Sequence, residues 1–222
     1  MKKLLSKYQH GIPLVIYAII YLTWFVYLEK TVTKSYQVIH MELDNHIPFV
    51  PVFVIPYLLW FAYVAVVVFY LFLKNKEDYT KCCVFLFTGM TIFLIISTVL
   101  PNGHHLRPHT FAEDTIFTRL IAMVYSRDTS TNLWPSIHVY ASIGAHLAVM
   151  HNKTLASNKA LKMGSLILCI SIILSTVLIK QHSVFDVITA FILATVMYLV
   201  VYPLNLMAFT KKRNKARVRQ EL

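Results

Sequence analysis

The stretch VPVFVIPYLLWFAYVAVVVFYLFL, residues 50–73, runs for 24 positions without a charged side chain. A bilayer core takes about 20 mainly apolar residues of α-helix, so this segment alone points to a membrane-spanning helix. Working outward from it, five further segments read the same way: Ile12–Leu28, Cys82–Leu100, Trp134–Met150, Met163–Ile179 and Val184–Thr210. The fourth span, Trp134–Met150, is the weakest, because His138, Ser142 and His146 interrupt it. The sixth is long enough to tilt, and Pro203 is placed to kink or end it. The expected fold is all-α, a polytopic membrane bundle of about six helices. Residues 1–210 form one membrane-embedded domain, and residues 211–222 form a basic tail.

Composition agrees. Of the 222 residues, 57 % are hydrophobic and only 14 % charged, more apolar surface than a soluble domain of this size can use. No fixed-period repeat and no low-complexity linker divides the chain. Met1-Lys2-Lys3 before an apolar run has the start of a signal peptide. The run ends in Leu28-Glu29-Lys30 rather than a small-residue cleavage site, so it reads as an uncleaved first helix.

Charge orients the spans. With the N-terminus in the cytoplasm, the inner segments hold 15 of the 21 Lys and Arg, including the tail from Lys211 to Arg219. The outer segments hold Lys30, Lys34, Arg107, Arg119, Arg127 and Lys180. The positive-inside rule therefore favours both termini in the cytoplasm. The net charge of +11 is explained by anionic lipid at the tail rather than by nucleic acid. Cys82, Cys83 and Cys169 lie in or beside apolar stretches without metal-ligand spacing, and read as small apolar residues.

Ionisable residues at membrane depth are costly and mark functional sites. Among ten acidic residues only Asp186 falls within a span, four positions after His182 in Lys180-Gln181-His182-Ser183-Val184-Phe185-Asp186. That spacing puts both on one helix face, where the carboxylate fixes one imidazole nitrogen and leaves the other as base or nucleophile. A structural His–Asp cap is the plainer reading of the same spacing. His138 starts the fourth span in Trp134-Pro135-Ser136-Ile137-His138, on the same outer side. Pro135 and Ser136 suit a helix's first turn, where free N–H groups favour an anion. Arg107-Pro108 lies on that side too and suits phosphate. The set meets the needs of phosphoryl transfer.

These residues resemble the motifs of the type 2 phosphatidic acid phosphatase superfamily. Arg107-Pro108 matches the end of its Lys-x6-Arg-Pro motif. Pro135-Ser136-Ile137-His138 matches Pro-Ser-Gly-His at three of four positions. Ser175, His182 and Asp186 match Ser-Arg-x5-His-x3-Asp. The resemblance covers roughly residues 101–190. It implies a membrane lipid-phosphate phosphohydrolase without cofactor or metal, acting on a lipid phosphate; the charge-derived orientation puts the site at the extracytoplasmic face, and the close-set loops without an organelle signal point to a bacterial inner membrane. His182 would attack phosphorus, Asp186 would orient it, and His138 would protonate the leaving oxygen. Arg107 and Ser136 would bind phosphate, and Lys180, outside the motifs, is added to them as a phosphate-binding candidate.

Leu100, Ile137 and Thr176 stand where the family motifs have Lys, Gly and Arg. Lys180, Arg127, His104 and His105 are the candidate substitutes. The inositol phosphorylceramide and sphingomyelin synthase-like branch departs from the phosphatase pattern in the first and third motifs too. A lipid head-group phosphotransferase is therefore the main alternative, and a catalytically degenerate transporter or lipid-binding protein the other. His104, His105 and His109 fall within six residues, but no partner ligand joins them at a familiar spacing, which favours phosphate contact or loop polarity over metal. His146, two turns after His138, is expected to face the same cavity.

Overall fold

The computed structural model describes residues 8–203. The chain is helical, and among the described residues five helices are long and apolar enough to cross a membrane. They are α1 (Ile12–Thr31), α3 (Val54–Lys74), α4 (Lys76–Val99), α8 (Lys159–Leu178) and α9 (Val184–Val201). The short helices α2 (Glu42–His46), α5 (Ile116–Arg127) and α7 (Lys153–Ser157) lie in the connections, and α6 (Ile137–His151) lies in the bundle. One two-residue parallel ladder, β1 (Gln37–Val38) on β2 (Asn102–Gly103), departs from an all-helical chain. The basic tail and the last residues of the expected sixth span, 204–222, lie outside the described residues.

The long helices carry their apolar side chains outward as well as inward. On α1, Ile12, Val15, Ile16, Ile19, Ile20, Leu22 and Val26 are all exposed, and Leu28 is the one buried position. Patches of this extent are not tolerated in water; they are the expected surface in lipid. The class these helices define is a membrane protein.

Helix α6 explains the weak fourth apolar segment. At 15 residues it measures about 22 Å, well short of the roughly 30 Å hydrocarbon core. It packs against α3, α4, α8 and α9 in the centre of the bundle. Its polar side chains therefore meet protein rather than lipid. The Ser142 hydroxyl donates to the His138 carbonyl at 2.6 Å, and His146 Nδ1 lies 2.9 Å from Ser165 Oγ on α8. His146 is thus engaged with α8 and is not among the residues that line the cavity described below. Ala141, Gly144, Ala145 and Ala148 let the neighbours approach closely, as small residues do between membrane helices.

Two glycines are required by that approach. The Tyr140 ring lies where a Cβ on Gly89 would sit, and its hydroxyl donates to the Phe85 carbonyl at 2.6 Å. A Cβ on Gly144 would meet the Phe85 ring at 2.7 Å. The cysteines are free and buried in this core.

Gly89→Ala should overpack this contact and cost about 1–3 kcal/mol, read as a lower thermal midpoint in detergent. The same change in a Tyr140→Leu background should cost clearly less. Equal losses in both backgrounds would show that Tyr140 is not the obstacle.

Candidate active site

The connection from α8 to α9 is five residues, Ile179 to Ser183, and carries His182. Ser183 caps α9: its hydroxyl accepts from Phe185 N at 3.2 Å, while Asp186 Oδ2 accepts from Ser183 N at 3.0 Å. This is a capping box. It holds the carboxylate beside the helix start, 3.3 Å from His182 Nδ1. Asp186 also reaches the start of α6, since Ser136 N donates to its backbone carbonyl at 3.2 Å. The two helix heads are therefore tied together, and the His138 and His182 rings stand 5.8 Å apart between centroids. His138 is held on its other sides by Tyr57, stacked at 4.4 Å, and Trp60 at 4.3 Å.

Both histidines line a cavity of about 410 Å³. Its walls are mainly apolar, from Tyr21 and Phe25 of α1, Phe61 of α3 and Phe93 of α4. Leu22 and Phe61 also lie on the exposed apolar surface, so the cavity reaches the lipid-facing side. Its polar residues are Arg127, Asp128, Asn132 and the two histidines. Ten buried side-chain polar atoms have no partner among the described residues. Five of them are Arg107 Nε, Asn132 Oδ1, His138 Nε2, Gln181 Nε2 and Asp186 Oδ1. Buried polar atoms are normally satisfied; of these ten, Trp60 Nε1, Asn132 Oδ1 and His138 Nε2 belong to residues that line the cavity.

Arg107 is immobilised beside this pair. Its guanidinium donates to the carbonyls of Asp128 at 2.7 Å and Thr129 at 2.8 Å, and to the Gln181 side chain. It lies 4.5 Å over the Tyr125 ring. Three of five N–H groups are thus engaged, leaving Nε and one more.

The remaining expected residues take other places. Ser136 is fully buried, and its hydroxyl accepts from Val139 N at 3.4 Å as the cap of α6. The Lys180 ammonium donates to the carbonyls of Asp44 at 2.9 Å and Ile47 at 2.6 Å. It serves the end of α2, where unsatisfied carbonyls attract a cation. Thr176, in the position of the family's Arg, is buried and takes Gln181 N and His182 N on its carbonyl. His104 accepts from Leu106 N on Nδ1 at 3.1 Å, so Nε2 carries the proton and donates to the Gln181 carbonyl at 2.9 Å. It supports the loop that holds His182. His105 and His109 are exposed. No group of three metal-ligating side chains occurs among the described residues.

Several supporting residues carried no motif. Asp44 accepts from Ser183 Oγ at 2.6 Å and Val184 N at 2.8 Å. Asn102 Oδ1 takes Leu133 N and Trp134 N just before α6. Glu29 takes Thr129 Oγ1 at 2.6 Å and Asn132 Nδ2 at 2.9 Å, joining α1 to the loop. The one available signal was the presence of short polar side chains in loops between apolar spans.

No family model matches the chain, and neither the curated proteins nor the solved structures compared with it include a match.

Burial sets the charge state. It pushes His182 down to about 3, with the Arg107 cation adding to the effect, and His104 down to about 4. Burial pushes Asp128 up to about 6, opposed by Arg107. A histidine kept neutral in the fold binds its proton only on unfolding. Its stabilising contribution is complete above the ordinary value of 6.5 and is lost as pH falls towards about 4. Asp128 works in the opposite sense and is common to wild type and variant. Between pH 7 and pH 4, His104→Gln should therefore lose less thermal stability than wild type. Parallel curves would mean that His104 does not hold its neutral form in the fold.

Proposed function

We propose that this chain is a membrane lipid-phosphate phosphohydrolase that works through a phosphohistidine on His182. The observation that carries the reading is the facing pair His138 and His182 at the polar end of an otherwise apolar cavity, with Asp186 on one of the two rings. The headgroup sits at the histidines while the acyl or prenyl chain lies along Tyr21, Phe25 and Phe61. The mechanism requires the His182 proton on Nδ1, 3.3 Å from Asp186 Oδ2, so that Nε2 carries the lone pair for phosphorus. As the N–P bond forms, the bond to the leaving oxygen breaks and the imidazolium of His138 gives that oxygen a proton. The substrate's own negative charge stabilises that imidazolium. Water then attacks phosphorus, His138 takes its proton, and phosphate leaves His182. Arg107, held beside the His182 turn through Gln181 and outside the cavity lining, adds positive potential for the phosphoryl group.

The same reading takes α6 as a sixth span shielded by its neighbours, and both termini as cytoplasmic. The loops 32–53 and 101–133, with the site, then face the extracytoplasmic side of a bacterial inner membrane. The placing of Lys and Arg supports that orientation. The apolar walls limit water around the histidines. This favours a second reading, in which a lipid alcohol accepts the phosphoryl headgroup instead.

His182→Ala should abolish phosphate release from a panel of lipid phosphates; full activity in the purified variant would overturn the mechanism. A labelled lipid donor incubated with lipid alcohols should yield free phosphate, whereas a new labelled lipid would select the transferase. In intact cells, a cysteine at His109 should react with a membrane-impermeant thiol reagent, and one at Lys153 should not. The reverse pattern would invert the topology.

A further inference from the structure

The turn bearing His182 is gripped from outside its own helices. Lys180 has φ 54°, the left-handed region that a non-glycine residue enters only where its surroundings impose it. Its ammonium is held by the carbonyls of Asp44 and Ile47. In the next two residues after His182 the grip repeats: Ser183 Oγ and Val184 N both donate to the Asp44 carboxylate. Asp44 is itself fixed, since its Oδ2 accepts from Met41 N at 2.8 Å. It is 3 % exposed, and Ser183 is fully buried. Four hydrogen bonds thus run from Lys180, Ser183 and Val184 to Asp44 and Ile47, and none involves the reacting groups. A carboxylate at a helix start is favoured by the helix dipole as well.

We propose that Asp44 is a positioning residue for the His182–Asp186 pair. By holding the Ser183 hydroxyl and the first turn of α9, it sets the direction in which the His182 ring faces the cavity. Ser183 is the common member: its N–H goes to Asp186 and its hydroxyl to Asp44. A shift at Asp44 is therefore passed directly to the pair. The catalytic part of this inference rests on the phosphohistidine reading, but the placement of His182 does not.

The test uses the full-length protein in detergent, with Asp44→Asn, Ser183→Ala and the double variant. Carbethoxylation of His182 by diethylpyrocarbonate is followed by mass spectrometry, with exposed His109 as internal control. Each single variant should raise the His182 rate several-fold and leave His109 unchanged. The double variant should rise by less than the two single increases combined, because both changes disturb the shared Ser183–Asp44 contact. Ser183→Ala breaks that contact from the opposite side, so an unfolded Asp44→Asn does not end the experiment. An unchanged His182 rate in folded variants would overturn the proposal. With dioctanoyl phosphatidate, kcat should fall roughly 10- to 100-fold with KM within about twofold, the mark of misplaced chemistry. If His182→Ala retains full turnover, the phosphohistidine reading fails, while the carbethoxylation result still decides the role of Asp44.

Discussion

Asp186 sits where three requirements meet. As the third residue of α9 it closes a capping box with Ser183, which removes an unsatisfied donor from a helix start. Through its backbone carbonyl it takes the N–H of Ser136 and so joins α9 to α6. Through the same carboxylate oxygen it faces His182 Nδ1. The heads of two helices and the pair of histidines are thus ordered by one residue at the end of the bundle. Inside a low-dielectric bundle each of these hydrogen bonds is stronger than in water, and an unmet partner is correspondingly costly.

The loops around this point are built to the same constraint. A connection against a membrane bundle must satisfy its backbone with its own side chains. Asn102, Glu29 and Arg107 do this for the segment before α6, each holding two or more loop groups. The short β1–β2 ladder joins the first and third connections. Beside this loop, the cavity at His138 is walled mainly by apolar residues from α1, α3 and α4, with Arg127, Asp128 and Asn132 completing it.

Charge near the histidines is sparse. Leu100 and Thr176 stand where the motifs that the chain resembles have Lys and Arg, and Lys180 is engaged by carbonyls of the α2 region. Arg107 is the cation held directly against the His182 turn, through Gln181. Burial keeps the His104 and His182 rings neutral. In the proposed mechanism a neutral His182 is what an attack on phosphorus requires, and the bound phosphate itself supplies the charge that favours an imidazolium at His138.

The amino-acid sequence by itself determined the helical membrane class, because apolar runs of spanning length are a one-dimensional property. It also singled out His182 with Asp186, since a separation of four residues is local, and it brought His138 and Arg107 forward by type and side. It could not show that the fourth apolar segment folds as a 15-residue helix largely buried among its neighbours, because burial by neighbouring helices depends on packing. It placed Ser136 at the start of a helix, as found, but did not reveal that Lys180 is engaged by the carbonyls of Asp44 and Ile47, or that His146 turns to Ser165. Asp44 was invisible for the same reason: it lies 139 residues from Ser183 in the chain and meets it only when α2 folds against the head of α9. Hydrogen-bond partners across such separations are chosen by the three-dimensional arrangement of the helices, and only the tertiary structure decided them.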